Sequence, residues 1–179
     1  MTEKKYLIDA NVFIQAKNMY YRFDFCGGFW DWMQSAHARG HVYSCRKVLS
    51  ELAAGPKDDP AYGWAKALPP TFFLDDAQNV AVMKHYSNIM QWAHSSKYNA
   101  AAQAQFAKAT TADAFLIAVA KEHGYGIATQ EKSNPDTKKK IYLPDAAAAH
   151  GVDTVYVYDL LSTLAVSTFV LKPPVAAAI

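Results

Sequence analysis

Four acidic residues carry the chemistry this chain could do. Asp9 closes the apolar run Tyr6-Leu7-Ile8, and Glu51 lies in Val48-Leu49-Ser50-Glu51-Leu52. Asp113 stands in the first turn of the apolar segment Thr111 to His123, and Glu131 follows Ile127-Ala128-Thr129-Gln130. Each has an ordinary alternative. Asp9 could cap the helix after it, Glu51 could sit on a solvated helix face, and Glu131 could be a loop acid, with Asp136 competing for the same role. Asp113 is the most pointed of the four, because an acid beside a segment apolar on every face needs a partner. Taken together, the acids pose an electrostatic problem. Two like charges 4 Å apart repel by about 4 kcal/mol at an effective dielectric near 20, so a cluster needs raised pKa values or a cation. Ligands that are all oxygen favour Mg²⁺ or Mn²⁺ over zinc. Such ions bind phosphate and activate water for in-line displacement. Asn11 and Thr129, each two residues from one of these acids, are placed to orient them.

The elements that must position these acids read as short strands alternating with helices. Lys5 to Ile8, Val42 to Ser44, Ile127 to Thr129 and Thr154 to Tyr158 are strand-like. Helical patterns cover Val12 to Met19, the aromatic stretch within Phe23 to Arg39 beyond Gly27-Gly28, Arg46 to Ala54, and Pro60 to Leu68. A long helix opened by Asp75-Asp76 follows, then helices over Asn99 to Lys108, Thr111 to His123, Leu143 to His150 and Leu160 to Phe169. Gln130 to Lys140, with Asn134-Pro135, is a loop. This alternation predicts an α/β sandwich around a short, mostly parallel sheet. In such sheets ligand sites gather beyond the carboxyl ends of the strands, which is where Asp9 and Glu131 fall. The expected organisation is one domain over residues 1–171, with a helical insert at about 60–108 and a tail at 172–179.

Composition narrows the classes. With 179 residues, 51% hydrophobic and 19% charged, the chain has material for a real core, so disorder does not describe it. A net charge of +2 is too small to announce a nucleic-acid binder by charge alone. Lys132 and the run Lys138-Lys139-Lys140 flank the acids and could contact phosphates, although a solvated loop is the plainer reading. Tyr20-Tyr21-Arg22-Phe23, Trp30 and Trp32 could stack on bases, but aromatics at helical spacing more often build core or an interface. Two cysteines, Cys26 and Cys45, fit a reducing, cytoplasmic setting. The greasiest stretch, Leu160 to Leu171, falls short of the roughly 20 residues a membrane span needs, and no signal-peptide run is expected at the start. His37 and His41 stand four apart, but Gly40 separates them and no glutamate follows His37, so zinc-hydrolase spacing is absent. Neither a Gly-x-Ser-x-Gly elbow nor a phosphate-cradling Gly-x-x-x-x-Gly-Lys occurs.

Read in order, these segments resemble the PIN-domain ribonucleases, the group that includes the VapC-type toxins. Tyr6-Leu-Ile-Asp9-Ala-Asn11 is similar to their opening strand, Glu51 in Val-Leu-Ser-Glu-Leu to their second acid, and Thr111-Ala-Asp113-Ala-Phe-Leu-Ile-Ala to their third. Thr129-Gln-Glu131 resembles their threonine-x-acid ending, where the family more often has Asp. The resemblance runs from about Tyr6 to Leu161 and fits a branch with a long helical insert. It implies a three-layer α/β/α fold and a Mg²⁺- or Mn²⁺-dependent endoribonuclease. Asp9, Glu51 and Asp113 would hold the metal directly; Glu131, or Asp136 in its place, would help hold a second ion or orient water. Cleavage would leave a 5′-phosphate and a 3′-hydroxyl. It further implies an RNA substrate, a homodimer and a cognate antitoxin, with no membrane partner.

Two other readings compete. A haloacid-dehalogenase-like phosphatase also puts an Asp at the end of its first strand, but wants a second Asp two residues later, where this chain has Asn11. A non-catalytic PIN-like scaffold would keep the fold and lose the assembled acids, and would gain no stability from Mn²⁺.

Overall fold

Runs of apolar residues too short to be helices pair into the central sheet. In the computed structural model, which describes residues 4–165, β1 (Tyr6–Ile8) lies between β2 (Val42–Cys45) and β4 (Gly126–Thr129), with β3 (Phe73–Leu74) and β5 (Thr154–Tyr156) outside them. The order is β3-β2-β1-β4-β5 and every pairing is parallel. Leu7, Ile8, Val42, Cys45, Ile127 and Ala128 are fully buried, as strands covered on both faces require. Tyr6 is in register with Gly126, where a Cβ would come within 3.0 Å of the Tyr6 ring, so the absent side chain makes room for the aromatic neighbour.

The connections decide where a site can form. β1 leads to β2 through α1 (Ala10–Gln15), a π-helical turn (Ala16–Tyr20) and α2 (Gly27–Ala38); β2 leads to β3 through α3 (Arg46–Ala53) and α4 (Pro60–Ala67). The chain then returns across the sheet through α5 (Val80–Ser95), α6 (Ala100–Phe106) and α7 (Asp113–His123) to β4, and on through α8 (Leu143–Ala149) to β5 and α9 (Val157–Leu164). Right-handed crossovers put the outward connections on one face and the returning ones on the other. The packing agrees, since α1 meets α3 and α3 meets α4, whereas α7 packs against α5 and α8. This is the three-layer α/β/α sandwich expected. β1 and β4 are neighbours whose connections leave to opposite faces, which opens a crevice at their carboxyl ends.

α7 is the central helix, with Ala114 through Ala120 all buried, and Gly124 at φ +68° closes it in the left-handed conformation glycine adopts without strain. The aromatic stretch turns inward. Trp30 is buried and stacks on Phe23 at 4.0 Å, and Phe13, Trp64 and Phe72 complete the cluster. Tyr21 stacks on Phe29 at 4.4 Å, and the Trp32 indole donates to the Leu164 carbonyl. Of the aromatics considered for base stacking, only Tyr20 is exposed.

Several expectations are corrected. Asp75-Asp76 does not open α5. Asn79 does, accepting from the N–H groups of Ala81 and Val82 at 3.0 and 3.2 Å. Gly27-Gly28 begins α2 rather than interrupting a helix, and Val12–Met19 is α1 giving way to the π turn after Gln15. β3 carries no sequence signal, being two residues between Pro69-Pro70 and an acidic pair. β5 stops at Tyr156 and the final helix starts at Val157. The expected extension of that helix to Phe169 and the tail at 172–179 lie outside the described residues. Among those described, no helix is long and apolar enough to cross a membrane.

Candidate active site

Asp9 is the first residue beyond β1, and the sheet fixes it. Its N–H donates to the Ala128 carbonyl at 3.0 Å, and the buried Ser44 hydroxyl donates to the Ile8 carbonyl at 2.7 Å. Asp9 holds the N-cap position of α1, yet its side chain makes no cap bond. The carboxylate instead accepts from the Thr129 hydroxyl at 2.7 Å and, at 3.4 Å, from the Asn11 amide. The residue is only 1% exposed, and burial pushes its pKa up to about 6; the Glu131 charge adds to this while Thr129 and Asn11 resist it. A carboxylate turned inward at this cost is not serving as an ordinary cap.

Glu51 is carried by α3, whose Val48 and Leu52 anchor the helix in the core. Burial raises its pKa to about 7 and the Asp9 charge adds to the shift, against the Ala112 N–H and the Lys47 ammonium. Asp113, the first residue of α7, is held well above the carboxylate range by burial and then by Asp9, Glu131 and Glu51, with Lys140 opposing. Its carboxylate makes no hydrogen bond or ion pair among the described residues. The dipole of α7 favours a negative charge at this end. Residues 9, 51 and 113, distant in sequence, thus share one electrostatic environment.

Glu131 stands differently. One oxygen accepts from the Lys140 ammonium at 2.6 Å and the other from the Leu143 N–H at 2.9 Å, while its own N–H donates to the Thr129 hydroxyl at 3.1 Å. Thr129, 1% exposed, therefore links Asp9 to Glu131. A cleft of about 190 Å³ brings Glu51, Asp113, Glu131 and Asn11 together with Lys139 and Lys140, and Gln105 and Phe106 of α6 complete its wall. The helical insert is thus part of the site. Asp136, Lys132 and Lys138 are exposed and do not line it. Lys47 does bear on it: four residues before Glu51 on α3, its ammonium lies 5.4 Å from the Phe115 ring and opposes the Glu51 shift. The i, i+4 spacing of Lys47 and Glu51 is the sequence signal that could have found it.

The donor set suits a hard divalent cation, since the acids supply only oxygen and neither imidazole nor thiolate lines the cleft. As placed, Asp9 turns to Thr129 and Glu131 to Lys140, and among the described residues no three acidic, His or Cys side chains already form a closed metal-holding group.

The fold and site define an α/β protein with an acidic, lysine-edged cleft at the switch point of a parallel sheet. Residues 6–168 match the family described as a domain of unknown function (DUF4411), and the chain belongs to that family. No curated protein matches it.

Proposed function

We propose that this protein is a Mg²⁺- or Mn²⁺-dependent endoribonuclease of PIN type, acting as the toxin of a toxin–antitoxin pair in the cytoplasm, as a homodimer. The observation that carries the reading is that Glu51 and Asp113 line one cleft with Glu131 while Asp9 lies buried behind it, each of the three with its pKa raised by burial and by the charge of another acid of this set. Clustered carboxylates with raised pKa values, withdrawn from water, are a functional pattern with a stability penalty. Lysines on the same cleft supply the complementary sign for a phosphodiester.

Asp9, Glu51 and Asp113 would hold the ion, which when bound polarises the phosphate and lowers the pKa of water. Thr129 keeps the Asp9 carboxylate in one orientation, with Asn11 on the same oxygen. Lys139 and Lys140 sit where they can pair with backbone phosphate oxygens. The water oxygen forms a bond to phosphorus, the bond from phosphorus to the 3′ oxygen breaks, and that oxygen takes a proton. The products are a 3′-hydroxyl and a 5′-phosphate.

The test is RNA cleavage with Mg²⁺ or Mn²⁺, comparing the intact protein with Asp9→Asn and Asp113→Asn. Cleavage by the intact protein alone supports the proposal. Equal cleavage by all three would place the activity elsewhere. Turnover of a small phosphate ester without RNA cleavage would favour the phosphatase, and absence of both, with no stabilisation by Mn²⁺, the scaffold.

A further inference from the structure

The cleft contains a cation of its own. Lys140 is not a free loop lysine: its ammonium is bonded to Glu131 at 2.6 Å and lies 4.4 Å from the centre of the Tyr142 ring. Glu131 is held from the other side by the Leu143 N–H at the start of α8, so the ion pair has a fixed base. Lys140 and Asp113 line the same cleft, together with Glu51. Both Glu131 oxygens are therefore engaged, and a positive charge occupies the side of the cleft where a fourth acid would otherwise face a second ion.

We infer that this centre takes a single divalent ion, on Asp9, Glu51 and Asp113, and that Lys140, positioned by Glu131, is the resident second cation. The inference rests on the metal-dependent reading above and departs from its expectation for Glu131. Glu131 is a positioning residue for Lys140, not a metal ligand. With an ammonium beside the ligands, the ion is bound less tightly than the three carboxylates alone would bind it. The charge that would come from a second ion is supplied by the chain.

Mn²⁺ binding to the metal-free protein, followed calorimetrically and by electron paramagnetic resonance, tests this without any turnover. One Mn²⁺ per chain is expected. Glu131→Gln should keep that stoichiometry with affinity weakened by about tenfold, because the Lys140 ammonium is left uncompensated beside the ion. Lys140→Met should tighten Mn²⁺ binding by about tenfold, because a neighbouring like charge is removed. Lys140→Arg should keep the native affinity, and melting curves of all three variants report whether they fold. Two Mn²⁺ per chain, loss of binding in Glu131→Gln, or unchanged or weaker binding in Lys140→Met would overturn the single-ion assignment while leaving the metal reading intact. No Mn²⁺ bound to the native chain would overturn both.

Discussion

At the scale of residues, the site is a set of carboxylates held where water would not leave them. Asp9 and Glu51 have ordinary values of 3.8 and 4.5 and are raised to about 6 and about 7 in the folded chain. The native state therefore binds more protons than the unfolded state between about pH 4 and pH 7, and stability falls as pH rises through that window. Both acids are protonated below it; above it the folded chain carries like charges on a buried Asp9 and a half-buried Glu51. For the metal-free protein, the melting temperature should drop by about 5 °C between pH 5 and pH 8 relative to the same difference in Glu51→Gln. Identical pH profiles for the two proteins would mean that Glu51 is not under this stress. Asp113→Asn removes one charge from the cluster. It should melt no lower than the native chain at pH 8, yet lose RNA cleavage by about 100-fold or more. A variant that melts well below native would show that Asp113 has a supporting structural role instead.

At the scale of elements, the placement of Glu51 depends on α3, and α3 is capped from outside its own sequence. Its N-cap residue, Cys45, offers no side-chain bond. Asp76, 5% exposed in the loop after β3, accepts from the Lys47 N–H and from the Ala77 N–H, each at 2.6 Å. The neighbouring Asp75 reaches only Arg46 at 3.5 Å on the surface, and such exposed pairs contribute little. Asp76→Ala should therefore lower unfolding free energy by about 1–2 kcal/mol, while Asp75→Ala changes it by less than about 0.5 kcal/mol. Urea melts of the two variants, read side by side, decide this. Equal losses would remove the special place given to Asp76. The acidic pair looked in sequence like the opening of α5, because acids favour helix starts. Which helix start an acid serves is not written locally, and here it serves one about thirty residues earlier.

At the scale of the whole molecule, the crevice between β1 and β4 exists because the chain travels outward along one face and returns along the other. The sheet sets Asp9 and Thr129, while α3, α7 and the insert bring up the walls. A cation that binds this assembled site and not the unfolded chain must stabilise the fold by mass action. At a free Mn²⁺ concentration one hundred times the dissociation constant, the gain is about 2.7 kcal/mol, or a rise of about 5–10 °C in melting temperature. A chelator should reverse the rise, and the combined variant Asp9→Asn, Glu51→Gln, Asp113→Asn should not respond. A melting curve indifferent to Mn²⁺ at every concentration would point to the scaffold.

Much of this protein was legible in its residues. Apolar runs bounded by Asp9 and Thr129, and the helix beginning at Asp113, declare themselves through periodicity and capping, which are local properties of a few neighbouring side chains. Asp9, Asp113 and Glu51 could be singled out because an acid among apolar residues is costly wherever the chain takes it. What the sequence left open was the choice of partners. Asp136 stood as a competitor to Glu131 until the fold set Glu131 on Lys140 and Leu143 and left Asp136 exposed. Tyr21, Phe23 and Trp30 could have faced a ligand, and instead stack within the molecule. Ion pairing and burial depend on separations of a few ångströms between residues far apart along the chain, and those separations follow only from the packed tertiary structure.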